Sequence, residues 1–134
     1  MKARKINDHI YWMGSVDWDS RLFDSLIPLP DGTSYNAYLI EGSEKTALLD
    51  TVDPPMAGEF MAQLEGIAKI DYIVSHHAEK DHSGTLLQVL AKYPDAKILS
   101  TPKARCLQNH LLISARQTAS VTHFRPLRSW IACF

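Results

Sequence analysis

The spacing of hydrophobic residues along the chain alternates between a two-residue and a helical period, which is typical of a mixed α/β domain. Five short runs rich in aliphatic, β-branched or aromatic residues predict strands at positions 9–14, 35–41, 46–50, 71–75 and 97–100. Residues 42–45 predict the loop of a hairpin that joins the second and third of these strands.

Three helices are predicted around the later strands. The first begins near Pro55 and is indicated by apolar residues at helical spacing: Met56, Phe60, Met61, Leu64 and Ile67. Ser83 is typical of the N-cap of a second helix, and Pro102 opens a third that we expect to run to about Leu112. The order of elements predicts one domain in which helices pack on a mixed sheet.

Composition excludes several classes of protein. The 134 residues are 46% hydrophobic and 22% charged, as in an ordinary globular chain, and the net charge of −1 gives no reason to expect nucleic acid as a partner. No apolar run approaches the ~18 residues that a spanning helix needs, and the N-terminal residues lack the pattern of a signal peptide. We therefore expect a cytoplasmic protein without a membrane partner.

Charge is unevenly distributed along the chain. Residues 1–95 hold all fifteen acidic residues, whereas residues 96–134 hold six lysines and arginines and no acidic residue. These basic residues are scattered among apolar ones, unlike the clustered charges of a nucleic-acid-binding tail. We expect residues 114–134 to be an atypical tail that is out of frame, as after a frameshift or an early stop. The alternative is an atypical basic C-terminal helix.

The segment 75–85, SHHAEKDHSGT, holds the densest cluster of potential metal ligands. It follows a predicted buried strand, and the carboxyl end of a strand is where α/β folds place active-site residues. Alternate residues of an extended loop face one side, so His77, Glu79 and Asp81 can converge while His82 turns towards a second centre. Imidazole with carboxylate suits Fe, Mn or Zn in a site with open positions. The alternative is a solvated polar loop.

Residues 77–82 read H-x-E-x-D-H and, with the following Ser-Gly pair, resemble the signature of flavodiiron proteins, also named A-type flavoproteins. The segments 17–23, 32–39 and 48–52 are similar to the same family, and the resemblance covers about residues 5–113. It implies the αββα sandwich of a metallo-β-lactamase-like domain. We expect residues 1–113 to form the first half of such a domain only.

The resemblance implies a role for each residue of the motif. His77 and Glu79 would bind a first iron, Asp81 would bind a second, and His82 matches a position that binds the second iron in some members. Zinc hydrolases of the same superfamily carry histidine in place of Glu79. Because a carboxylate oxygen is a hard, negatively charged ligand, Glu79 favours iron or manganese over zinc.

Three further residues have secondary roles in this interpretation. Ala78 and Lys80 would be spacers whose side chains point away from the metals. Asp50, at the end of a neighbouring predicted strand, is a candidate acceptor for a histidine N–H, with a simple strand-end cap as the alternative.

The family resemblance also implies a function. Flavodiiron proteins reduce O2 to water or NO to N2O at a non-haem di-iron site. Their electrons come through FMN from a donor such as rubredoxin or an NADH-linked reductase, and their full-length form is a homo-oligomer. Further metal ligands and a flavodoxin-like FMN domain lie downstream in the family, so we expect this chain to be a truncated fragment without FMN-binding residues. We expect no catalytic residue beyond the ligands, and metal binding without turnover. The alternatives are a metal-dependent hydrolase of the same superfamily and a non-enzymatic metal-binding remnant.

Overall fold

A computed structural model describes residues 3–104 and 124–126, which contain short strands and three short α-helices. The strands are β1 (Arg4–Lys5), β2 (Ile10–Trp12), β3 (Ser15–Asp17), β4 (Leu22–Phe23), β5 (Ile27–Pro28), β6 (Thr33–Tyr35), β7 (Tyr38–Glu41), β8 (Thr46–Leu49), β9 (Tyr72–Ser75), β10 (Lys97–Ser100) and β11 (Phe124–Pro126). Seven of them form one sheet in the order β1-β2-β7-β8-β9-β10-β11, and β3–β6 and β4–β5 form two small pairs.

The main sheet is antiparallel from β1 to β8 and parallel from β8 to β11. Parallel neighbours need crossover connections, and helices provide them between β8 and β9 and between β9 and β10. A 3-10 turn (Pro54–Met56) and α1 (Ala57–Gln63) connect β8 to β9, and α2 (Lys80–Ser83) and α3 (Leu86–Lys92) connect β9 to β10. The carboxyl ends of β8, β9 and β10 therefore meet at one edge of the sheet. None of the helices described is long and apolar enough to cross a membrane.

One face of the sheet forms the hydrophobic core with the helices. Leu39, Leu48, Ile73 and Ile98 are register partners across four neighbouring strands, and all four are buried. They share a cluster with side chains of the helical connections, namely Phe60, Leu64, Leu86, Val89 and Leu90. Burial of each of these side chains contributes about 1.5–3 kcal/mol to the stability of the fold. This layer therefore fixes the position of the sheet edge where residues 77–82 lie.

The predicted strands are present, with one division. The predicted strand 35–41 is split between β6, which pairs with β3, and β7, which pairs with β2 and β8 in the main sheet. The break falls at Asn36, whose side-chain oxygen accepts a hydrogen bond of 2.9 Å from the indole N–H of Trp12. Between the first two predicted strands, the structure also contains β3, β4 and β5; β3 pairs with β6, and β4 pairs with β5.

Two details of the helix prediction are wrong. The first helix ends at Gln63 instead of continuing to Ile67, because Gly66 adopts a left-handed conformation with φ of 85°. Ser83 is the last residue of α2, not an N-cap, and its hydroxyl lies 2.9 Å from the carbonyl oxygen of Glu79 behind it. Thr85 occupies the N-cap position of α3.

The C-terminal predictions fall largely outside the described residues. Helical structure begins at Pro102 as expected and is described as far as Ala104. Of the expected tail at 114–134, only Phe124–Pro126 is described, and its backbone pairs in parallel with β10. The sequence pattern does not predict this strand.

Asp71 ties the start of β9 to its neighbours through ion pairs and one backbone bond. Its carboxylate accepts hydrogen bonds from Lys69 Nζ at 2.5 Å, from Lys45 Nζ at 3.4 Å and from the N–H of Thr46 at 3.0 Å. Burial acts to raise the pKa of Asp71, but the bonds from Lys69 and Thr46 and the positive charges outweigh it, so the pKa is lowered.

We expect Asp71→Asn to remove a stability contribution that depends on pH. A lowered folded-state pKa stabilises the fold above the usual pKa of 3.8, and the contribution is lost as the pH falls through the lower folded-state value. The variant should therefore melt below the original chain at pH 7, and the two melting temperatures should converge under acid. Thermal unfolding from pH 7 to 2.5 measures this, with Asp31→Asn in an exposed turn as the control. Parallel curves would contradict it.

Candidate metal centre

The motif lies at the sheet edge where the parallel strands end. His76 and His77 directly follow β9, and the motif continues into α2, which begins at Lys80. Asp50 directly follows β8, and its N–H donates to the carbonyl oxygen of Val74 in β9 at 2.8 Å. Two neighbouring strands therefore deliver carboxylate and imidazole groups to one place, as the sequence predicts.

The structure brings the four predicted ligands together as two pairs. His77 Nε2 lies 3.4 Å from Glu79 Oε1, and His82 Nε2 lies 3.5 Å from Asp81 Oδ2. The rings of His77 and His82 stack with their centroids 5.7 Å apart, which joins the two pairs. Within residues 3–104 and 124–126, no group of three or more histidine, cysteine, aspartate or glutamate side chains is arranged to hold a metal ion.

Asp50 connects this cluster to the sheet. Its Oδ2 lies 3.1 Å from Nδ1 of His82 and 3.1 Å from Nδ1 of His76, and its Oδ1 accepts the N–H of His76 at 2.8 Å. Asp50 therefore lies where the sequence analysis expects an acceptor for a histidine N–H. Its φ of 56° is in the left-handed region, which aspartate tolerates better than most residues and which aims its carboxylate at the motif.

These hydrogen bonds determine what each pair offers to a cation. In the tautomer that donates from Nδ1 to Asp50, His82 has a lone pair on Nε2, which faces the carboxylate of Asp81. Two lone-pair donors 3.5 Å apart are an arrangement that a divalent cation satisfies. His77 differs, because its Nδ1 accepts the N–H of Ala78 at 2.9 Å and its Nε2 then donates towards Glu79. Both pairs contain donor atoms that suit a metal ion. Of the two pairs, the one formed by Asp81 and His82 also has a histidine tautomer with its lone pair facing the carboxylate.

Hydroxyl groups hold the backbone of the motif. Thr51 donates to the carbonyl oxygen of His82 with its N–H at 2.8 Å and its Oγ1 at 3.0 Å. Ser75 Oγ donates to the carbonyl oxygen of His77 at 3.0 Å, and Ser83 Oγ lies 3.0 Å from that of Ala78. The ligand pattern does not reveal these supports, because a hydroxyl's partner depends on the fold.

Lys80 does more than separate two ligands. Its Nζ lies 3.5 Å from Oδ2 of Asp53, whose side chain is only 10% exposed. Because Asp53 follows β8 by a few residues, this ion pair links the first turn of α2 to the segment that enters α1. This ion pair is an additional contact that the expected role of Lys80 as a spacer does not include.

A cavity of about 640 Å³ opens beside the motif, with carboxylates of the motif on one wall. Other walls include residues of the segments that resemble the flavodiiron family, together with two residues that follow β8: Asp17, Leu22, Phe23, Thr33 and Tyr35, and Asp53 and Met56. Burial, the carboxylate of Asp53 and that of Asp17 raise the pKa of Tyr35, so its phenol stays protonated at neutral pH. Tyr35 thus lines the same cavity as Glu79 and Asp81.

The comparison with known families is consistent with this arrangement. The family model of the metallo-β-lactamase superfamily matches residues 30–129. The chain belongs to this superfamily. A nitric oxide reductase from Moorella thermoacetica is 45% identical to this metallo-β-lactamase superfamily chain over 103 residues, which are 74% of this chain and 26% of the relative.

Solved structures agree on the fold of this superfamily member. The flavodiiron protein from Giardia intestinalis has a TM-score of 0.77 and 28% identity, covering 92% of this chain and 30% of its own. The rubredoxin oxygen:oxidoreductase from Desulfovibrio gigas has a TM-score of 0.78 and 31% identity, covering 94% of this chain and 31% of its own. The resemblance to flavodiiron proteins and the metallo-β-lactamase-like fold are confirmed. The chain spans about a quarter of the length of the curated relatives it matches.

Proposed function

We propose that this chain carries the part of a di-metal centre that the motif supplies. His77 and Glu79 bind the first metal, and Asp81 and His82 bind the second, with iron as the native metal. The observation that carries this proposal is the meeting of these four side chains as two imidazole–carboxylate pairs beside one cavity. Mixed nitrogen and hard oxygen donors support Fe(II) or Mn(II) over Zn(II).

We propose further that the chain is a fragment of a flavodiiron oxidoreductase, which reduces O2 to water, NO to N2O, or both. The relatives named nitric oxide reductase and rubredoxin oxygen:oxidoreductase support these substrates and a rubredoxin-type electron donor. Iron held by these residues would supply redox chemistry for the substrate, and the FMN of the family would be the source of its electrons. A homo-oligomeric full-length form and a cytoplasmic location belong to the same proposal.

The residues of this chain have defined tasks in such a centre. Glu79 and Asp81 offset the charge of the cations, and Asp50 holds the proton of His82 on Nδ1 so that Nε2 faces Asp81. The cavity admits a small molecule next to both carboxylates, and the protonated Tyr35 lines it as a hydrogen-bond donor. Four ligands from one loop are few for two metals, so by itself the chain binds metal without turnover.

Metal binding by the isolated chain tests the proposal. We expect anaerobically purified chain to bind Fe(II) or Mn(II), and His77→Ala to weaken that binding at least roughly tenfold because it removes a ligand of the first metal. Elemental analysis and calorimetric titration measure both. His9→Ala, at an exposed histidine distant in sequence from the motif, is the control. A chain that holds only stoichiometric zinc after chelation would contradict the proposal.

A further inference from the structure

His76 lies beside the candidate ligands without being one of them. Its backbone N–H donates to Oδ1 of Asp50 at 2.8 Å, and its ring Nδ1 lies 3.1 Å from Oδ2 of the same carboxylate. His82 Nδ1 contacts that same Oδ2 at 3.1 Å. We propose that His76 is a positioning residue for His82 that acts through Asp50, an inference that rests on the proposed metal centre.

The first step of the argument concerns the orientation of the carboxylate. A carboxylate with one bound oxygen can still turn about the bond to its Cβ, whereas one held at both oxygens by a single residue cannot turn without losing a bond. His76 holds Asp50 in this second way. The carboxylate is 9% exposed, so water has little access to replace a lost bond.

The second step concerns His82. A carboxylate oxygen has two lone pairs and can accept from both imidazoles at once. The oxygen that His76 holds in place is the one that accepts from His82 Nδ1, and this bond selects the tautomer with a lone pair on Nε2. His76 therefore keeps the metal-facing nitrogen of His82 directed at Asp81, 3.5 Å away.

The third step separates His76 from a ligand and from a packing residue. Its ring is 56% exposed, so it contributes little to the core. The side-chain Nδ2–H of asparagine is at the position equivalent to Nδ1–H of histidine. Leucine is similar in size to asparagine but has no hydrogen-bond donor. His76→Asn should therefore preserve the role, and His76→Leu should remove it.

The experiment has one arm with metal and one without. We expect His76→Leu to weaken Mn(II) binding roughly tenfold, as is usual for the loss of a residue that orients a ligand. His76→Asn should stay close to the original chain, and His9→Leu should have no effect. In the metal-free chain, 15N NMR of the histidine rings should find His82 protonated on Nδ1, and His76→Leu should give a mixture of tautomers.

Each result decides the inference. An Nε2-protonated His82 in the original chain, or a His76→Leu variant with unchanged tautomer and unchanged Mn(II) affinity, would overturn it. Equal losses in His76→Asn and His76→Leu would also overturn it, because the donor would then not matter. If the original chain binds no Mn(II), the proposed metal centre fails, and the tautomer measurement still decides whether His76 positions His82.

Discussion

Replacing Glu79 by histidine should move the metal preference of the chain from Fe(II) or Mn(II) to Zn(II). The substitution exchanges a hard, negatively charged oxygen for an imidazole nitrogen, and Zn(II) in catalytic sites favours histidine-rich ligand sets. The variant then has the pattern H-x-H-x-D-H, which resembles the motif of the zinc hydrolases of the superfamily. Glu79 is half exposed, so the fold should accept the larger ring.

A competition experiment measures this change of preference. The original chain and Glu79→His are equilibrated anaerobically with equal Fe(II), Mn(II) and Zn(II), and the bound metal is determined by elemental analysis. We expect at least a roughly tenfold change in the ratio of bound zinc to bound iron, because one directly bound ligand has changed its donor type. Glu59→His, on the exposed side of α1, is the matched control. An unchanged ratio would remove Glu79 from the ligand set.

Local signals explain which parts of the fold the sequence predicts. The hairpin of β7 and β8 closes with a bond from the N–H of Gly42 to the carbonyl oxygen of Lys45 at 2.8 Å, within the predicted loop. The division between β6 and β7 depends instead on which strand each half pairs with, and β3 lies about eighteen positions earlier in the chain. A pattern of alternating residues contains no information about that choice.

The candidate site likewise contains features that a short sequence segment predicts and features that depend on the fold. The spacing of the motif predicts His77, Glu79, Asp81 and His82 as ligands, because the residue types and their order can be read from one short segment. The contact between His76 and Asp50 joins residues that are 26 positions apart in the sequence. The ion pair between Lys80 and Asp53 depends on where the backbone runs between β8 and α1. Such contacts follow from the register of β8 and β9, which the chain sets only when it folds.

Leu48→Ala should be the most destabilising single change in the sheet. Leu48 is fully buried at the centre of the row that packs against the helices, and such a truncation typically costs about 2–5 kcal/mol. Because a domain is stable by only about 5–15 kcal/mol, such a loss should remove much of the cooperativity of unfolding. Urea denaturation followed by circular dichroism measures the loss.

Leu49→Ala provides the matched comparison, because Leu49 lies in the same strand with its side chain on the opposite face. It pairs with Tyr38 and Val74, and all three are only partly buried. Because less of its side chain is buried, Leu49→Ala should cost clearly less than Leu48→Ala. Equal losses would mean that this face is covered. If a second copy covers it, the melting temperature of the original chain should rise with protein concentration, and that rise should disappear in Leu49→Ala.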